Sequence, residues 1–254
     1  RTIRSRSQDS IVSEAKVITR HPKFKGYISD LGGPTANMYG YECGKKLKYG
    51  NCPSKRCVSP AICPVIKIDH RPHAEVLKKV QDLEGVKKVF VASGLRYDMI
   101  LSDTEHGDDY LRQVVTHHTS GQMKIAPEHT EDHVLRKMGK PGTESLVKFK
   151  ERFEQLNKKA GKKQFLTYYM IAAHPGCDDK DMRKMKTFVS SELRISPEQV
   201  QIFTPTPSTY SSVMYWTEMD PFTLESMFIE KNPNRKRKQK DIITQKPQFR
   251  RKVR

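Results

Sequence analysis

At 254 residues, with 47 Lys and Arg against 29 Asp and Glu, the chain has a formal net charge of +18 and room for one large barrel-like or doubly wound domain, the expected case, or for two small ones. Such an excess of positive charge suggests an anionic partner, because the field attracts phosphate. No apolar run approaches the roughly 20 residues that cross a bilayer, and the N-terminus lacks the apolar core of a signal peptide, so a soluble, cytoplasmic protein with no membrane role is expected.

The first predicted element is a helix. Ser7 or Ser10 can accept hydrogen bonds from its first free amides, and Ile11, Val12, Ala15 and Ile18 form an apolar stripe that ends near His21 and Pro22. Residues 25–30 follow as a short strand of β-branched and aromatic character, halted at Gly32 and Gly33 by a tight loop. Behind it, residues 40–70 read as an insertion without a sustained period, carrying Cys43, Cys52, Cys57 and Cys63, four of the five cysteines. In a chain without a secretory signal, four clustered thiols point to a metal or iron–sulfur site rather than to disulfides, with reduced free thiols as the plain alternative.

From His73 a helical pattern runs through Val76, Leu77, Val80 and Leu83, and a strand over 88–93 ends at Gly94. The unit then repeats. Helices over 109–116, 144–159 and 180–192 lead to strands over 122–127, 164–172 and 199–204. This alternation argues for a parallel sheet with helices packed outside it. Each strand is followed by small or polar residues, and in α/β folds ligands sit at that carboxyl edge. Five strands do not close an ordinary barrel, so either the sheet is open or a strand is missing at the front.

His117 and His118 resemble a metal pair, but adjacent helical residues point apart, which favours capping or core roles. Cys177 reads as an ordinary thiol. Trp216, with Tyr210, Met214 and Tyr215, is expected to cover the end of the last strand by core packing. Residues 222–254 hold Lys231, Arg235, Lys236, Arg237, Lys238 and Lys240 and read as a basic, disordered tail that could contact nucleic-acid phosphates. No aromatics interleave the basic run, so a stacking platform for single strands is not expected.

Four blocks carry a resemblance: Asp30 to Tyr39 (DLGGPTANMY), Ala92 to Asp98 (ASGLRYD), Lys124 to Thr130 (KIAPEHT) and Ala173 to Gly176 (AHPG). In order and spacing, and with the cysteine pattern Cys43-x8-Cys52-x4-Cys57-x5-Cys63, they resemble the YgiQ-type radical SAM proteins over about residues 1–221. The resemblance implies an α/β fold of the partial (β/α)6 barrel type. It also implies a 4Fe–4S cluster, held by Cys-x3-Cys-x2-Cys after the first strand, that cleaves S-adenosylmethionine to a 5′-deoxyadenosyl radical. Hydrogen abstraction from an unknown substrate and an electron donor such as flavodoxin or ferredoxin come with it.

Gly32, Gly33, Pro34 and Thr35 would then contact the cofactor, since glycine lets the backbone approach a ligand closely; the family's acidic residue is absent there and Asp30 is the nearest replacement. Ser93, Arg96, Glu128 and His174 would bind or orient cofactor or substrate, Glu128 through ribose hydroxyls or the methionyl ammonium. An ion-pair network closing the mouth of the sheet is the alternative for Ser93, Arg96 and Glu128. The chain contains no Cys-x3-Cys-x2-Cys. The expectation is therefore a fragment that lacks the first strand and the cluster loop, inactive alone, in which Cys43, Cys52, Cys57 and Cys63 hold an auxiliary iron–sulfur cluster or zinc. The rival reading is a non-catalytic, basic RNA-binding domain bearing zinc or a cluster.

Overall fold

A computed structural model of the protein describes residues 5–33, 35–41, 43–50, 52, 57–59, 61–197 and 200–244. In chain order they form α1 (Gln8–Thr19), β1 (Tyr27–Ile28), a 3-10 turn (Ala36–Met38), α2 (Gly44–Tyr49), α3 (Arg71–Gln81), β2 (Lys88–Val89), α4 (Tyr97–Ser102) and α5 (Gly107–Gln113), which runs into a π-helical turn (Val114–His118). There follow β3 (Gln122–Glu128), α6 (Asp132–Met138), α7 (Thr143–Lys159), β4 (Phe165–Ala172), α8 (Asp179–Ser191), β5 (Val200–Ile202), α9 (Tyr210–Thr217) and α10 (Pro233–Thr244). Two units result: one draws on residues up to Ala126 and on Glu144–Thr167, the other on Pro127–Thr143 and on residues from Tyr168 onward.

In the first unit α1 starts where its sequence dictates. Ser7 caps it, its hydroxyl accepting the Ser10 amide at 3.2 Å. The helix packs on α3, which buries His73, Val76, Leu77 and Val80 at helical spacing and carries Pro72 in its first turn, where the missing amide costs little. Helix α7 buries Leu146, Phe149, Phe153 and Leu156, each at most 4% exposed, and each such side chain contributes about 1.5–3 kcal/mol. Strands β1 and β2 pair in parallel, Tyr27 with Lys88 and Ile28 with Val89. Both are shorter than the apolar pattern predicts, because the hydrogen bonds pass from the ladder to a side chain: the Asp30 carboxylate takes the amides of Ala92 and Ser93 at 2.9 and 3.1 Å. Beyond β2, Leu95 bridges Ile125 of β3 in parallel, and the Phe165 amide at the start of β4 donates to the Gly121 carbonyl at 3.1 Å. His118 takes a core role, its Nδ1 donating to the Val89 carbonyl at 2.9 Å.

In the second unit β5 pairs in parallel with the end of β4, Met170 with Val200 and Ala172 with Ile202. Helix α8 opens on a capping box in which the Asp178 carboxylate accepts the amides of Lys180 and Asp181, both at 2.8 Å, and Asp181 returns a bond to the Asp178 amide at 3.1 Å.

Helix α10 packs on α8 and β5, which corrects the reading of a disordered tail from residue 222 for its described part, up to Thr244. The inward residues of α10 are Lys236, Gln239 and Ile243. Lys236 is held by Tyr215, its Nζ 4.4 Å from the ring centroid and 3.1 Å from the hydroxyl. Residues 245–254 lie outside the described residues. Trp216 also departs from expectation. The helical turn of α9 sends Met214 inward, fully buried, and Trp216 outward, 71% exposed.

The fold is thus mixed α/β with parallel sheets, and among the described residues these do not close into a barrel. Among the described residues no helix is long and apolar enough to cross a membrane.

Candidate functional site

The loop after β1 opens onto a cavity of about 600 Å³ in the first unit. Asp30, Leu31, Gly32, Gly33, Thr35 and Tyr39 line it together with the apolar Ile11, Ala15, Ile18, Ile28 and Val76. Polar contacts set the path of the loop. The Leu31 amide donates to the Phe90 carbonyl at 2.8 Å, and its own carbonyl accepts from His73 Nε2 at 3.3 Å. His73 Nδ1 in turn accepts from the Tyr110 hydroxyl at 2.8 Å. Burial pushes the His73 pKa down to about 4, so the ring is neutral with its proton on the loop side.

Gly32 lies against Asp30 and Ser93, whose hydroxyl also donates to the Asp30 carboxylate. A Cβ at Gly32 would fall 2.8 Å from Ser93 Oγ and 2.9 Å from Asp30 Oδ1, closer than a side chain tolerates. Gly33 differs, because a Cβ there would meet nothing within 4 Å. Packing does not demand glycine at this position, and its backbone is open to a ligand. Pro34 lies outside the described residues. Past Thr35, the Ala36 amide donates to the Gly94 carbonyl at 3.1 Å.

A buried network braces this loop. Asn37, fully buried, accepts the Arg96 amide on Oδ1 at 2.7 Å and donates from Nδ2 to the Arg96 carbonyl at 3.0 Å and to His70 Nε2 at 3.1 Å. The clasp on Arg96 fixes which end of the amide is which, so His70 Nε2 is an acceptor and the ring proton sits on Nδ1. From there it donates to Asp103 Oδ2 at 2.7 Å, while the Tyr41 hydroxyl donates to Nε2 at 2.8 Å. Burial drives the His70 pKa down against the pull of Asp103. Burial alone would raise the Asp103 carboxyl, but bonds from His70 and the His106 amide outweigh it and leave it below the usual range. The result is a buried carboxylate beside a neutral imidazole.

The structure therefore brings Gly32, Gly33 and Thr35 together at the cavity, with Ser93 behind Gly32. Arg96 does not line the cavity: its guanidinium forks onto Asp98, with Nε to Oδ1 at 2.8 Å and a second contact from Nη2.

Glu128 and His174 belong to the second unit. Glu128, with φ at 69°, pairs with Lys140 at 3.0 Å, the ion-pair alternative of the sequence reading. His174 donates from Nδ1 to the Pro175 carbonyl at 2.9 Å and accepts on Nε2 from Ser211 at 2.8 Å. Nearby, His129 is fully buried and its pKa is pushed down to about 3 by burial. Its Nδ1 accepts the Glu131 amide at 3.0 Å, leaving Nε2–H to face Cys177 Sγ at 3.4 Å. Burial pushes the Cys177 thiol up, so the pair is thiol and neutral imidazole, the opposite of an activated nucleophile.

Cys43, Cys52, Cys57 and Cys63 are free, with Cys57 exposed and the others half-buried. Among the described residues the one group of three possible ligands is Glu131, His133 and Asp181; no three of the thiols lie within such reach. Glu42, Asn51, residues 53–56 and Pro60 around them lie outside the described residues. The trio carries its own contacts instead: His133 to Asp181 at 3.1 Å and Glu131 to Lys184 at 3.2 Å.

Sequence reasoning missed Asn37, His70 and Asp103. Asn37 sits in the DLGGPTANMY block and His70 opens α3, but only the fold joins them.

No family model matches the chain. It is 59% identical over 246 residues to a UPF0313 protein of Fusobacterium nucleatum subsp. nucleatum, an alignment covering 97% of this chain and 43% of that protein. It is 44% identical over 243 residues to a UPF0313 protein of Clostridium perfringens and, likewise at 44% over 243 residues, to one of Methanosarcina mazei; 96% of this chain aligns in both, against 36% and 38% of those proteins. The chain spans less than half the length of these relatives, and its homologues over nearly its whole length are proteins named UPF0313.

Proposed function

We propose that the chain is part of a radical SAM enzyme of the YgiQ type, built on a partial (β/α)6 barrel, and that the cavity beside Gly32 and Gly33 receives S-adenosylmethionine. One observation carries the reading: the open Cβ position of Gly33 on a loop that lines a cavity of about 600 Å³. That volume suits a nucleoside-sized ligand, and the wall is mostly apolar with a few fixed polar groups, as small-molecule sites are. The four sequence blocks and their order support the same reading.

In this reading each residue has a limited task. The backbone of Gly32 and Gly33 would meet the methionyl ammonium, while Ile11, Ala15, Ile18 and Ile28 would exclude water from the adenosyl group. His73, kept neutral by burial, holds the Leu31 carbonyl without placing a competing cation beside the ligand. Asp30 acts as a positioning residue, since its carboxylate is committed to Ala92 and Ser93. A 4Fe–4S cluster would supply the electron for cleavage; these 254 residues contain no Cys-x3-Cys-x2-Cys, so its ligands would come from outside them. The substrate is unassigned, and a flavodoxin or ferredoxin would be the electron donor.

Equilibrium dialysis of the 254-residue chain against radiolabelled S-adenosylmethionine tests the reading. Saturable binding that Gly33→Val weakens by about ten-fold or more, a clash of ~1.4 kcal/mol, with thermal stability unchanged, supports it. Absence of binding, or equal binding by the variant, overturns it.

A further inference from the structure

We infer that the second unit binds single-stranded RNA on a surface formed by α9 and the start of α10. Trp216 is 71% exposed, and Tyr210, Val213 and Phe222 are 45%, 45% and 47% exposed. Large aromatic surface left in water marks an interaction site. Tyr210 and Phe222 lie against each other with ring centroids 4.8 Å apart. Trp216 stands edge-on to Tyr215, centroids 5.3 Å apart and planes at 87°. Tyr215 joins α9 to α10: the ammonium groups of Lys231, which also pairs with Glu218, and of the buried Lys236 sit 5.9 and 4.4 Å from its ring centroid, which leaves the phosphates to the arginines. On the same helix Arg235 and Arg237 are exposed, and among the described residues neither forms an ion pair.

Read along the chain, the basic run has no aromatics in it; the fold supplies them from α9. Exposed rings that accept unstacked bases, beside cations that track the phosphates, are the two parts of a single-strand platform. Arginine suits the phosphate better than lysine because its fork accepts two oxygens. Thr206 and Ser208, exposed hydroxyl residues in the loop that leads into Tyr210, can hydrogen-bond ribose 2′-hydroxyls, which favours RNA over DNA. A docking protein would use the same aromatics but would not need the unpaired arginines. The inference is independent of the cofactor cavity, which lies in the other unit.

Trp216 is the only tryptophan of the chain, so its fluorescence reports the surface directly. The 254-residue chain should be titrated with a mixed-sequence single-stranded RNA of about ten nucleotides, a length matched to such grooves, and with the same sequence as DNA and as duplex RNA. Saturable quenching is expected, with affinity falling steeply as salt rises. Fluorescence anisotropy of the labelled RNA should show Trp216→Ala weakening binding about ten-fold and Trp216→Phe restoring most of it. The double variant Arg235→Glu with Arg237→Glu should weaken binding and flatten the salt dependence. Because all three side chains are exposed, thermal unfolding should be unchanged in every variant. No quenching, equal affinity in Trp216→Ala, or DNA or duplex binding as tight as single-stranded RNA would overturn the inference.

Discussion

His70 in the first unit and His129 in the second are both fully buried imidazoles, yet one shares its proton with a carboxylate and the other with a thiol. The difference sets how strongly each network holds. Asp103 stays ionised in the interior because His70 Nδ1–H and the amides of His70 and His106 all point at it. Through His70 and Asn37 that charge braces the turn at Ala36–Met38 and the backbone of Arg96, next to the loop that lines the cavity. The His129 network holds no charge. It joins Cys177 to Gln239 of α10, whose Oε1 lies 3.8 Å from the sulfur and whose Nε2 donates to the Cys177 carbonyl at 3.5 Å. The charged network braces loop backbone through short bonds, whereas the neutral one ties Cys177 to α10 through long ones.

The largest expected effect follows from cutting the first network. Asn37→Leu keeps the volume but removes the acceptor of the part-buried Arg96 amide and the Nδ2 donor to His70, and should cost about 2 kcal/mol in urea unfolding. The equivalent cut in the second network, Gln239→Leu, removes only long, neutral bonds and should cost about 1 kcal/mol. Equal costs would break the distinction between the two networks.

Acid comes next. His73 and His129 have folded pKa values pushed down to about 4 and about 3, against an unperturbed value near 6.5. Below pH 6.5 the unfolded chain takes up protons that these folded rings refuse, so their contribution is present above pH 6.5 and is lost as pH falls toward 4 and 3. Each group should cost up to about 1.4 kcal/mol per pH unit in that window, measurable as a falling urea midpoint. His129→Phe should remove one share of the slope and leave that of His73. A midpoint flat from pH 6.5 to 4.5 would mean that neither ring is sequestered.

Where burial follows a regular period the sequence was readable, and where it follows tertiary partners it was not. The stripes of α3 and α7 and the alternation of β3 and β4 announce their elements. Helix α4 does not, because four consecutive residues, Tyr97, Asp98, Met99 and Ile100, are buried and no single face stands out. Helix α10 turns inward a lysine, a glutamine and one isoleucine, a pattern indistinguishable from a solvated run. At the site, Gly32, Gly33 and Thr35 were legible from the block that contains them. Asn37, His70 and Asp103, each 33 residues from the next, have no local signature. Arg96 was legible as a functional type but not in direction, since its nearest carboxylate, Asp98, captures it.

The smallest effect is one of rate, and it tests the closed character of the second network. Cys177 is fully buried and its thiol is pushed up by burial, so it lacks both access and the thiolate that reacts. In native protein a disulfide reagent should modify Cys57 first, then the half-buried Cys43, Cys52 and Cys63, and should reach Cys177 only as fast as the unit opens. Gln239→Leu should speed that last step about five-fold if it costs about 1 kcal/mol, since exchange through opening tracks the free energy of opening. Asn37→Leu, whose contacts lie in the other unit, should leave it unchanged. Modification of all five thiols at one rate would show that His129 and Gln239 do not seal the sulfur.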